Sequence, residues 1–111
     1  MILIPASGEV EIFRGDDYYA AQGRELCWQD DSWLDFTGCP VVITIDRGWA
    51  SSGEDSVFTD GVGGNKSVTQ QLSRTVTRLL ALRRRLYSLL VVKNGHVLTL
   101  RNAGWTSYDP E

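Results

Sequence analysis

Asn94-Gly95 lies between two β-rich runs, Tyr87-Ser88-Leu89-Leu90-Val91-Val92 and Val97-Leu98-Thr99-Leu100-Arg101. An Asn-Gly pair accepts the left-handed backbone of the tight turn whose twist matches paired strands, so this stretch predicts a hairpin turning over Lys93-Asn94-Gly95-His96. Asn102-Ala103-Gly104 is expected to break the returning strand, with Trp105-Thr106-Ser107-Tyr108 continuing along the sheet edge.

Other strands follow from the same grammar. Val41-Val42-Ile43-Thr44-Ile45-Asp46 is dense in β-branched residues and predicts a central strand with both faces partly covered. Pro40 suits its first residue, where no ladder donor is lost. Glu9 to Phe13 alternates polar and apolar, and Arg14-Gly15-Asp16-Asp17 then makes a turn or bulge. Tyr18 to Ala21 is expected to be extended until Gln22-Gly23, Leu26-Cys27-Trp28 forms a short strand, and Ser67 to Leu72 is again extended. Ser73 can cap a short helix near residues 73–82, with Val76, Leu79 and Leu80 on one face. From Arg47 to Lys66 the chain turns to Gly, Ser, Asp and Asn, which reads as a long mobile loop anchored by Trp49, Val57, Phe58 and Val62. Short strands with frequent turn formers, no fixed repeat and no low-complexity linker predict one mainly β domain over residues 1–111, an antiparallel sandwich.

At 111 residues and 42% hydrophobic, the chain can bury one core without metal or crosslinks. Four Trp, four Tyr and three Phe supply large apolar area. The net charge of -3 is unevenly placed: residues 1–60 hold twelve acids and three arginines (-9), residues 61–111 eight bases and two acids (+6). Opposite halves can satisfy each other within the molecule or steer contacts between molecules. The start MILIPASGEV lacks a basic stretch followed by an apolar run, so no secretory signal argues for an oxidising compartment. Cys27 and Cys39 are therefore expected as free thiols, a disulfide being the alternative. No stretch approaches the ~18 apolar residues that span a bilayer, and the chain is expected to be soluble.

Chemistry-bearing patterns are sparse. His96, the single histidine, falls in the hairpin turn, and Cys27 and Cys39 lack the paired spacing of a zinc clamp. Asp16, Asp17, Asp30, Asp31 and Asp35 lack EF-hand spacing and read as turn acids. Gly61-Val62-Gly63-Gly64-Asn65-Lys66-Ser67 imitates a phosphate loop, but Asn65 stands where the Walker pattern needs Gly. Arg83-Arg84-Arg85 reads as a charged element end facing the acidic half rather than a nucleic-acid patch. No enzyme, metal, cofactor, nucleic acid or membrane is expected.

Three segments in order carry a resemblance: Ile12-Phe13-Arg14-Gly15-Asp16-Asp17; Trp33-Leu34-Asp35-Phe36-Thr37-Gly38 leading into Val41-Val42-Ile43-Thr44-Ile45; and Leu86 to Val92 with Asn94-Gly95, Val97 to Leu100 and Gly104. Together they resemble the amino-terminal domains of phage baseplate upper proteins and related small tail proteins. The chain departs at Phe36, where that family usually has Leu, and in the longer, more basic stretch from Leu79 to Arg85. The resemblance implies an immunoglobulin-like β-sandwich that docks into a virion assembly, made in the bacterial cytoplasm, bound to other tail proteins or to copies of itself, and without catalytic residues. The interface candidates are Trp49, Phe58, Arg83, Arg84 and Arg85. The alternative is a small carbohydrate- or ligand-binding sandwich that exposes Trp28, Trp33, Trp49 or Trp105 as a stacking platform.

Overall fold

The structure, a computed structural model, describes residues 1–45, 56–80 and 83–109, with all their side chains except those of Ser56 and Arg83. The order of elements is β1 (Ile2–Leu3), β2 (Val10–Phe13), a 3-10 turn (Ala20–Gln22), β3 (Leu26–Gln29), β4 (Pro40–Ile45), β5 (Ser56–Gly64), β6 (Ser67–Gln70), α1 (Arg74–Leu79), β7 (Arg83–Lys93) and β8 (His96–Tyr108).

The hairpin forms where the Asn-Gly pair places it: Val92 faces Val97, Lys93 faces His96, and Asn94 and Gly95 take φ of 52° and 78°. β8 does not stop at Asn102-Ala103-Gly104. Leu89 pairs with Arg101 but Leu90 with Thr99, so one extra residue is absorbed as a bulge and pairing runs on to Ser107.

β4 is central, paired with β5 on one side and β7 on the other, with Pro40 at its first position. Val41, Ile43 and Ile45 point into the core. Half of the expected mobile loop is instead the strand β5; residues 46–55 lie outside the described residues. Its glycines suggest a loop by composition, yet two of them are there because neighbours press on the backbone. A Cβ at Gly61 would stand 2.7 Å from Val41 Cγ1, and one at Gly63 would stand 2.1 Å from the Phe36 carbonyl oxygen. The Phe36 N–H also donates to the Gly64 carbonyl, so the 30–39 connection is laid across β5.

All eight strands belong to one sheet, in the order β1-β3-β6-β5-β4-β7-β8-β2. The chain is mainly β as expected, but the sheet is mixed: β1 runs parallel to β3, and β2 parallel to β8. The physical reason is the path of the first thirteen residues. They pair at one edge of the sheet, turn at Pro5 to Gly8, where the Gly8 N–H donates to the Pro5 carbonyl, and pair again at the opposite edge. One segment can serve both edges because the sheet curls until its ends approach. Trp28 of β3 and Tyr87 of β7, four places apart in the sheet, meet across the core with the Trp28 indole N–H donating to the Tyr87 hydroxyl at 2.8 Å.

The short helix is capped as the sequence predicts, the Ser73 hydroxyl accepting from the Val76 N–H at 3.2 Å. It is also fastened from outside. Asp17 accepts from the Arg74 N–H at 2.6 Å, and the buried Thr77 hydroxyl accepts from the Gly15 N–H and donates to the Asp16 carbonyl, both at 2.9 Å. Tyr18 to Ala21 is extended only at its start, where Tyr18 bridges to Leu72, before the 3-10 turn.

Gly63→Ala tests the crossing of the 30–39 connection over β5. A methyl group against a backbone carbonyl cannot be accommodated by a rotamer change, so we expect a loss of about 2–3 kcal/mol in denaturant unfolding. Near-zero change would show that the connection does not press on Gly63.

Candidate functional site

Of the sequence-derived interface candidates, the structure describes the side chains of Phe58, Arg84 and Arg85, and each has different surroundings. Phe58 is half-buried and stacks on Trp105, ring centroids 6.2 Å apart, so β5 directs it toward the core. Arg84 is exposed and gives Glu9 an ion pair at 2.7 Å. The pair lies over Gly104, where a Cβ would meet the guanidinium at 2.3 Å. The Arg84 hydrogen bond holds the Glu9 carboxyl below the usual carboxylate range. Arg85 is half-buried, and its Nε has no partner. Trp49 and the side chain of Arg83 lie outside the described residues.

The acidic and basic halves meet inside the molecule. Glu9–Arg84, Asp17–Arg74 at 3.2 Å and Asp30–Arg101 at 2.9 Å each join a residue of the first sixty to one of the last fifty-one. The third of these belongs to a polar cluster at the end of β3. The Arg101 guanidinium lies 4.7 Å from the centroid of the Trp33 ring and grips Asp30, beside a cavity of about 420 Å³ lined also by Gln29 and Asp31. The Ser32 hydroxyl and N–H, and then Arg101, hold the Asp30 carboxyl down to about 2.

The proposed stacking platform requires correction. Trp28 and Trp105 are each 1% exposed and form the core with Tyr87, so neither can present a face to a sugar. The reason is burial: these rings are the largest side chains available to fill a curled sheet. Trp33 is half-buried between Arg101 and Phe36.

Cys27 and Cys39 are free thiols, and burial pushes the Cys27 thiol up. His96 is exposed in the hairpin turn. Among the described residues no His, Cys, Asp and Glu side chains gather in a group that could hold a metal ion, and no helix is long and apolar enough to cross a membrane.

Two features escaped the sequence reading. Phe13 of the outer strand β2 and Tyr108 of β8 form an exposed ring pair, centroids 6.2 Å apart, 47% and 43% accessible. Gln70 is buried among apolar residues with its side-chain oxygen unpartnered. A signal existed for the second: Val68 and Gln70 alternate with the half-buried Ser67 and Thr69 in a strand, so a polar residue occupies an inward position. For the first, the parallel pairing that places Phe13 opposite Tyr108 has no local sequence signal.

No protein-family model matches this chain, and no curated protein sequence matches it.

Asp30 supplies a pH test. Its carboxyl titrates near 2 in the folded protein against 3.8 ordinarily, so its contribution to stability is complete above pH 3.8 and is lost as pH falls from there toward 2. Chemical denaturation at several pH values should show a steeper loss of stability over that window in the parent than in Asp30→Asn. Identical slopes would contradict the bonding described for Asp30.

Proposed function

We propose that this protein is a non-enzymatic structural module of a phage or prophage tail or baseplate, working through protein–protein contacts. The observation that carries the reading is the exposed ring pair of Phe13, on the outermost described strand β2, and Tyr108, at the end of β8. Aromatic side chains bury large area at small entropic cost and anchor interfaces, and an outer strand can add backbone groups for a partner, although here the Phe13 N–H is already given to the Tyr18 hydroxyl at 2.7 Å. The sequence resemblance supplies the biological setting.

The finer fold implied by that resemblance, an immunoglobulin-like sandwich, belongs to the same proposal. Its support is that the two halves of the curled sheet face each other across Trp28 and Tyr87, and that the first segment changes edge at a bend, as strands do at the corners of packed sheets. The partners are other tail proteins or copies of the chain, with nucleic acid and membrane playing no part. The protein is then made in the bacterial cytoplasm and carried in the virion. With Arg84 engaged by Glu9 and Phe58 by Trp105, the edge pair replaces them as the leading interface residues.

The test is to induce the strain that encodes the chain, purify tail particles on a density gradient and probe for the tagged protein. The expected result is co-sedimentation with tail proteins, reduced about tenfold in Phe13→Ser/Tyr108→Ser, whose lost contacts are of hot-spot size. Recovery of the parent protein only in the particle-free fractions would overturn the proposal.

A further inference from the structure

Between α1, β5 and β6 a cavity of about 270 Å³ is walled by Tyr19, Phe58, Leu72 and Val76, with Asp60, Gln70, Gln71 and Ser73 as polar residues. A second cavity of about 310 Å³ shares Phe58, Asp60 and Val76 with it, so the two flank one wall. Together they approach the size of pockets that take small molecules.

Gln70 is 2% exposed, and its amide is oriented by donation from Nε2 to the Gln71 carbonyl at 2.9 Å. Among the described residues its Oε1 accepts no hydrogen bond. The oxygen lies beside Gly61, where a Cβ would stand 3.0 Å away, and Gly61 directly follows Asp60. An unmet buried acceptor destabilises the free protein, and a donor that reaches it recovers that loss. Asp60 is exposed, and among the described residues no cation pairs with it. Gln71 and Ser73 also line the cleft, but among the described residues its unmet buried acceptor is Gln70 Oε1 and its one charged side chain is Asp60, both set against an apolar wall.

We infer that this cleft binds a small organic cation, a guanidinium or primary ammonium on a short apolar stem, whose N–H groups donate to Gln70 and Asp60 while its stem packs on Phe58 and Val76. A carboxylate or phosphate would face the like charge of Asp60 and the Gln70 oxygen, and a pure hydrocarbon would leave Gln70 unmet. The same cation could be free or the side chain of an arginine or lysine in a peptide.

The test is an amide-resolved NMR titration of the full chain with n-butylguanidinium, the neutral amide pentanamide with the same butyl stem, and a blocked Gly-Arg-Gly peptide. Saturable shifts at the Gln70 side-chain amide and at Asp60 and Val76 are expected with the cations, at least about tenfold tighter than with pentanamide, because charge-assisted hydrogen bonds exceed neutral ones. Tighter binding of the free cation would support a small-molecule site, and tighter binding of the peptide a site for a partner's side chain. Asp60→Asn should weaken n-butylguanidinium about tenfold. Gln70→Leu should abolish the saturable shifts at Asp60 and Val76, its melting temperature serving only to show that it folds, since it removes the unmet acceptor together with the donor to the Gln71 carbonyl; Asp60→Asn carries the test if that variant does not fold. Equal binding of pentanamide, or no saturable shift with either cation, would overturn the inference.

Discussion

The Tyr87 hydroxyl holds the curl of the sheet together. It accepts from the Trp28 indole N–H at 2.8 Å and donates to the Gly8 carbonyl at 2.5 Å, joining β7 to β3 and to the bend between β1 and β2. Its ring meets Trp105 edge-on at 5.7 Å, and Trp105 stacks on Phe58. Elements from both halves and from both edges thus converge on one side chain. Burial pushes the Tyr87 phenol up, as suits a hydroxyl that must stay protonated to donate. Phe could pack there, but only Tyr also satisfies the two buried polar groups it touches.

Local signals in the sequence carried the local structure. The Asn-Gly turn, the Ser73 cap, Pro40 at the start of a central strand and the alternation over Val10 to Phe13 all act through neighbours a few residues away, and the structure agrees with each. The arrangement of strands was not legible, because it depends on distant pairs. Nothing near Ile2 or Val10 announces that one lies parallel to Leu26 and the other to Trp105. Nor does composition reveal that Gly61 and Gly63 serve close packing in a strand and not the freedom of a loop.

The same limit explains the site residues. Aromatic and arginine content drew attention to Phe58, Trp28, Trp105 and Arg84, yet in the fold these engage Trp105, Tyr87, Phe58 and Glu9 respectively. Among the described residues, what remains open to a partner or ligand is set by geometry: an exposed ring pair beside the outer strand β2, and a glutamine facing inward from β6 that lines one cleft with an aspartate no cation pairs with. The charge asymmetry has a comparable resolution. Four ion pairs join the first sixty residues to the last fifty-one; Arg84–Glu9 and Arg14–Asp109 are exposed enough to contribute little singly, while Asp30–Arg101 is half-buried.

Equilibrium unfolding of Tyr87→Phe, which preserves the ring and deletes one oxygen, tests the role given to this residue most directly. It should cost about 2–4 kcal/mol, because the Trp28 N–H and the Gly8 carbonyl both lose their partner in the interior. A loss below about 0.5 kcal/mol would contradict the claim that this hydroxyl holds the curled sheet closed.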